Sequence, residues 1–267
     1  MTLIISWIGV DKKSTGNAIS SLYIGTDSRY SWSDDEYFDY GTKVFGSQKY
    51  PEIFGFCGDV TFPSLIFGQL ISQIDFNLLI NEKDTCDQKN KKIFNYIKSS
   101  VAKYPTEHLV GRSTILHGTR FGKIFKLYKT TFNSKTDIIN QEINLPKIST
   151  NVFSGGSGSQ EFDNNWILWK DPKHNDFETS RAVYHCLDKT LNNIVDRRTG
   201  GLKQIIGLYR VKNAKLFGTI KNGKKYIYGK EITEDLISTN IEWRNENFER
   251  VNSITMNLIE GAQRQPI

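Results

Sequence analysis

Thr2-Leu-Ile-Ile-Ser-Trp-Ile-Gly-Val10 opens the chain, and Ser20-Ser-Leu-Tyr-Ile-Gly-Thr26 follows after the polar stretch Asp11-Lys-Lys-Ser-Thr-Gly-Asn17. The two runs are rich in β-branched and aromatic residues, and the stretch between them carries turn formers. Together they predict an opening β-hairpin. Downstream, Lys43–Ser47 and Glu52–Cys57 read as short strands on either side of Tyr50-Pro51, where the residue before proline is pushed out of the helical region. From Phe62 to about Ile80, apolar residues recur at three- and four-residue steps (Leu65, Ile66, Leu70, Ile71, Ile74, Leu78, Leu79), which predicts an amphipathic helix. A second helix is expected over Lys91–Lys103.

Ser113–His117, Lys123–Leu127 and Asp137–Ile143 read as strands of a meander. The glycine-rich segment Ser154-Gly-Gly-Ser-Gly-Ser159 interrupts them. Two helices are expected next, one around Phe162, Trp166 and Trp169 and one over Phe177–Val195. Strands then resume at Leu202–Val211, and Asn222-Gly223 between Lys215–Ile220 and Tyr226–Tyr228 is a two-residue hairpin signal. The tail from Glu231 has no clear periodicity. Elements arranged in blocks, rather than in strict β-α alternation, point to an α+β fold with helices packed on antiparallel sheets.

At 267 residues the chain is long enough for one large core, so a single domain over 1–267 is expected, with a core at about 2–210 and a C-terminal extension from about 231. Three cysteines (Cys57, Cys86, Cys186) without C-x-x-C spacing indicate neither a disulfide framework nor a zinc site and fit a reducing, cytoplasmic setting. His108, His117, His174 and His185 show no ligand spacing, so no metal and no cofactor is expected. Net charge is +6, but the basic residues are scattered in short clusters such as Lys89-Asn-Lys-Lys92, which read as solvated surface and not as a nucleic-acid site. The amino terminus lacks the basic region and cleavage site of a signal peptide. The apolar stretch Pro63–Ile80 is broken by Gln69, Ser72, Gln73 and Asp75, so no membrane partner is expected.

Six segments become informative together: Thr2, Gly25-Thr-Asp-Ser-Arg29, Gly41-Thr-Lys-Val-Phe45, Gly55-Phe-Cys-Gly-Asp59, Gly156-Ser-Gly-Ser159 and Asp196-Arg-Arg-Thr-Gly-Gly201. Each is weak alone. In this order the chain resembles proteasome β-subunits and the peptidase subunit of the bacterial HslUV protease, over roughly residues 2 to 210. The resemblance implies a four-layer α-β-β-α sandwich with two antiparallel sheets, the N-terminal nucleophile hydrolase architecture. It also implies Thr2 as nucleophile after removal of Met1, Asp27 and Lys43 beside it, the backbone N–H of Gly58 as oxyanion donor, and Ser157, Asp196 and Thr199 orienting the terminal amine and a water. Thr199 stands where the family usually has serine, with the hydroxyl retained.

The chemistry gives each position a reason. At a chain terminus the threonine's own α-amine, with an ordinary pKa of about 7.7–8.0, can accept the hydroxyl proton. Lys43 would stabilise the alkoxide, and Asp27 would hold Lys43 charged and oriented. An amide nitrogen cannot act as a base, so the mechanism requires loss of Met1. The expected activity is threonine-type peptidase or amide hydrolysis through an acyl-enzyme. The family's habits imply a peptide or unfolded-protein substrate, a homo-oligomeric ring and an ATPase partner. Two rival readings are a catalytically silent structural or binding subunit, and an amidohydrolase acting on small amides. Gly218-Thr-Ile-Lys-Asn-Gly-Lys-Lys225 imitates a P-loop but ends in Lys225 where Ser or Thr belongs, and it reads as a hairpin.

Overall fold

The structure, a computed structural model, describes residues 2–12, 14, 16–109, 111–234 and 241–262. In chain order the strands begin with β1 (Ile4–Asp11), β2 (Ala18–Thr26), β3 (Tyr30–Ser31), β4 (Tyr37–Phe38), β5 (Val44–Gly46) and β6 (Glu52–Cys57). Helices α1 (Thr61–Asp75) and α2 (Cys86–Lys103) follow, then β7 (Ser113–Phe121), β8 (Ile124–Phe132), β9 (Ile138–Ile143) and β10 (Thr150–Gly155). Helices α3 (Ser159–Trp169) and α4 (Ser180–Asn193) precede β11 (Gln204–Tyr209), β12 (Lys215–Lys221), β13 (Lys224–Ile227), β14 (Lys230–Ile232), β15 (Ile241–Arg244) and β16 (Arg250–Val251).

The expected four-layer sandwich of two antiparallel sheets is corrected by this arrangement. Among the described residues the chain is mostly β, with strand (35%) outweighing helix (24%), and the strands lie in three open sheets. One is nine-stranded, running β10-β1-β2-β11-β12-β13-β14 with β15 and β16 attached off that path, one is five-stranded (β5-β6-β7-β8-β9), and β3 and β4 form a two-stranded ribbon. The large sheet is also not purely antiparallel, because β15 runs parallel to β12. The extra strands come from segments without a legible pattern. β10 lies mostly in the unassigned stretch just before the glycine-rich segment, and β14 to β16 lie in the tail, where pairing to neighbours already in place overrides weak local propensity.

Local features explain the element boundaries. The β1–β2 hairpin pairs Ile4 with Thr26 and Asp11 with Ala18, so both ends of the first run are fixed in register. α1 stops at Asp75, short of Ile80, because Asn77 takes φ +60°, a conformation asparagine tolerates at a helix end, and Leu78 is left exposed. α2 begins five residues earlier than its periodicity indicates. Thr85 and Gln88 form a capping box in which each side chain bonds the other residue's backbone N–H. The Asn222-Gly223 turn has positive φ at both positions (+50° and +72°), as the hairpin signal requires.

Three apolar clusters hold these elements together. Phe62, Phe67, Leu70, Ile93 and Ile97 of α1 and α2 pack with Phe54, Phe56 and Ile115 of the five-stranded sheet. Phe162 of α3 and Val183, Tyr184 and Leu187 of α4 pack with Ile5, Trp7, Tyr23 and Phe217 of the nine-stranded sheet. Ile4, Ile8, Leu22 and Ile24 meet Val44, Ile53, Leu116 and Leu127 between the two large sheets. No helix among the described residues is long and apolar enough to cross a membrane.

Candidate active site around Thr2

Thr2 lies two residues before the start of β1 and is fully buried. The neighbouring backbone is clamped to the end of β2: the Leu3 N–H donates to Asp27 Oδ1 at 2.9 Å, and the Asp27 N–H donates back to the Leu3 carbonyl at 3.2 Å. Asp27 therefore sits one residue from the proposed nucleophile because the β1–β2 register carries it there.

Asp27 is fully buried and collects four donors. Oδ1 accepts from the Leu3 amide and from Lys43 Nζ at 2.9 Å, and Oδ2 accepts from the Gly200 amide at 3.0 Å and the Arg29 amide at 3.2 Å. Both members of the Asp27–Lys43 ion pair have fully buried side chains. Burial pushes the Lys43 ammonium below its ordinary value, and the adjacent Asp27 only partly offsets this. The residue's backbone is also pinned, since its N–H donates to Gln204 Oε1 at 3.0 Å.

A second cluster is made by loops that follow β10 and α4. Ser157 Oγ lies 3.2 Å from Thr199 Oγ1, and Thr199 Oγ1 donates to Asp196 Oδ2 at 2.8 Å. Burial pushes the Asp196 carboxyl up, but hydrogen bonds from Ser157 and Thr199, with help from Arg198, outweigh it and leave the group below its ordinary value. The loop is held from beneath by Glu161, whose carboxylate accepts the Val195 and Asp196 amides at 3.0 and 3.1 Å.

Glycines join the two clusters. A Cβ on Gly156 would lie 1.8 Å from the Thr2 carbonyl oxygen, and φ there is +89°. The Gly158 N–H donates to that same carbonyl at 3.4 Å, and a Cβ on Gly158 would meet Leu3 Cβ and Thr199 Cγ2 at 3.1 Å each. The Ser157 loop thus lies directly against the Thr2 backbone, while Gly200 ties the Asp196–Thr199 loop to Asp27. Gly58 terminates β6 at φ +99°, where a Cβ would lie 2.2 Å from the Arg112 carbonyl oxygen, so only glycine fits. Its neighbour Cys57 borders the same space, 3.4 Å from a Cβ placed on Gly156. Burial pushes the Cys57 thiol up to about 11, which leaves it protonated and removes it as a competing nucleophile.

Thr2, Asp27 and Lys43 are therefore assembled on one side, and Ser157, Thr199 and Asp196 on the other, with Gly58 at the strand end nearby. Sequence reasoning missed Glu161, which holds the Asp196 loop, and Gln204, whose Nε2 also donates to the Tyr228 carbonyl at 3.0 Å. Both act on backbone atoms far along the chain, and no short motif carries that signal.

The Asp196 contacts predict a pH dependence. Its folded value lies below its ordinary 3.8, so the carboxylate contributes stability at pH above that value, and the contribution is lost as pH falls through the lower folded value. Denaturant midpoints of wild type and Asp196→Asn should differ at about pH 6 and converge as the pH falls below 3.8. A difference that stays constant over this range would contradict the assignment.

No family model matches the chain, and no curated protein matches it.

Proposed function

We propose that this chain hydrolyses amide bonds through Thr2, exposed as a new terminus by removal of Met1, with peptide or unfolded protein as substrate. One observation carries this reading: a fully buried Asp27 carboxylate bonds both the Lys43 ammonium and the amide following Thr2, while the Ser157–Thr199–Asp196 chain lies against the Thr2 backbone.

In the proposed reaction the free α-amine of Thr2 takes the hydroxyl proton as Oγ1 attacks the substrate carbonyl carbon. The Gly58 N–H donates to the resulting oxyanion, an interaction whose loss typically costs about 3 kcal/mol of transition-state stabilisation. Collapse breaks the C–N bond, the α-ammonium returns its proton to the leaving amine, and water then cleaves the Thr2 ester. Lys43, paired with Asp27 in a dry setting, lowers the energy of the developing alkoxide when its ammonium is charged. Ser157, Thr199 and Asp196 orient the terminal amine.

A second reading is supported by the complete burial of Thr2 in the chain that still carries Met1. It makes the chain a silent structural or binding subunit, in which the same contacts merely anchor the amino terminus. Intact mass of the protein expressed without an amino-terminal tag, followed by labelling with a peptide epoxyketone, separates the two. The hydrolase reading expects a chain lacking Met1, one label per chain on Thr2, and loss of labelling and peptide cleavage by at least about a thousandfold in Thr2→Ala. A retained Met1 in a host with active methionine aminopeptidase, or a processed chain that takes no label, favours the silent subunit.

A further inference from the structure

A sizeable cleft lies away from Thr2. It lies at the opposite end of β1, roughly 25 Å along the strand, and has a volume of about 720 Å³, the size of a small-molecule site. Its floor is the end of the β1–β2 hairpin. One wall is the start of α4, and the other is the C-terminal extension around Arg244, Phe248 and Arg250.

The chemistry of these walls is polar and cationic. Four cations, Lys12, Arg181, Arg244 and Arg250, line the cleft against two acids, Asp11 and Glu178. Both acids are already engaged, Glu178 by Lys12 at 2.7 Å and Asp11 by Arg210 at 2.6 Å. Arg244 and Arg250 share a single carboxylate, Glu242, which leaves positive charge in excess on that wall. Arg181 is only 8% exposed and spends one nitrogen on Asp176, and Arg244 is bonded to Glu242, the Tyr209 hydroxyl and the Phe248 carbonyl, so both guanidinium groups are fixed in place on the cleft lining.

The backbone adds donors of its own. α4 carries no acidic residue in its first turn, and the Thr179 side chain takes only the Ala182 amide. Ser180 and Arg181, at the positive end of this fourteen-residue helix, both line the cleft, and a helix amino terminus favours an anion. Hydroxyl groups of Ser20, Ser21, Ser149 and Ser180 surround the remaining space.

We propose that this cleft binds a small hydroxylated organic phosphate, its phosphate held by Arg181, Arg244 and the α4 amides and its hydroxyl groups by the serines. Guanidinium pairs match phosphate oxygens two at a time, and a helix amino terminus supplies the third direction. This site is independent of the chemistry at Thr2.

Isothermal titration of the full chain with ribose 5-phosphate and with inorganic phosphate tests it, with ribose and with sodium chloride at matched ionic strength as controls. The expected result is saturable one-to-one binding of ribose 5-phosphate, weaker binding of inorganic phosphate, and no saturable heat from either control. Arg181→Gln should weaken binding at least about tenfold. Should that variant not fold, Lys12→Gln serves instead. Its side chain is 66% exposed, so the fold should be kept, while loss of the cation frees Glu178 at the cleft mouth and weakens binding several-fold. The absence of saturable heat with either phosphate at millimolar concentration overturns the proposal. So does binding unchanged in Lys12→Gln together with Arg181→Gln or, where Arg181→Gln does not fold, in Lys12→Gln alone, and so does an equal response to sodium chloride.

Discussion

Asp27→Ala is expected to lower stability by about 3–5 kcal/mol, a fall of roughly 10 °C in melting temperature for a chain of this size. The substitution removes the acceptor of four donors at once. It leaves the Lys43 ammonium buried without its counter-charge, and it leaves the Leu3 and Gly200 amides without the carboxylate whose two oxygens join the start of the chain to the Thr199 loop. Breaking a buried pair from one side is costly because the remaining charge cannot reach water. Lys43→Met should be milder, since Asp27 would still accept three backbone N–H groups. Thermal unfolding of the two variants followed by circular dichroism checks both the size and the order. An Asp27→Ala variant as stable as wild type, or less harmful than Lys43→Met, would mean that the pair does not organise this end of the sheet.

A comparable loss, again about 3–5 kcal/mol, is expected for Glu52→Ala. Glu52 is completely buried at the start of β6. Its Oε1 accepts from Lys89 Nζ at 2.7 Å and Thr119 Oγ1 at 2.9 Å, and its Oε2 bonds His117 Nε2 at 2.7 Å. Lys89 belongs to the first turn of α2 and His117 and Thr119 to β7, so this one carboxylate fastens the helix to the five-stranded sheet. Truncation would strand a 2%-exposed Lys89 with the Arg120 carbonyl, at 3.1 Å, as its remaining acceptor. Glu52→Gln keeps an acceptor oxygen and should fall between wild type and alanine in a denaturant titration. If Glu52→Ala shifts the midpoint no more than a typical surface substitution, the network is not fastening α2.

Lys89 also shows where reading by composition fails. Within Lys89-Asn-Lys-Lys92 it looks like solvated surface, yet it is buried while Lys91 is exposed and Lys92 pairs with Asp84 at 2.7 Å. Charge runs say nothing about which member faces a sheet, because that depends on where a helix lands and in what rotation. The four-layer sandwich failed for a related reason. It was implied by the resemblance of short motifs, with which the block order of helices and strands agreed, and neither counts strands such as β10, whose half-buried residues lack alternation and are ordered by pairing with β1.

What the residues determine by themselves is local: the opening hairpin with its turn formers, β6 at Glu52–Cys57, the Asn222-Gly223 turn, and the glycines at 58 and 156 whose backbone angles other residues resist. The site's chemical groups were also visible in the sequence, as short motifs at Thr2, Asp27, Lys43, Ser157, Asp196 and Thr199. The tertiary structure alone decided that the sheets are three and open, that Glu161 and Gln204 brace the site, and that Arg181 and Arg244 face one cleft from opposite ends of the second half of the chain. Each of these depends on contacts between residues far apart in sequence, whose formation follows from burial of whole faces rather than from the preference of any one residue.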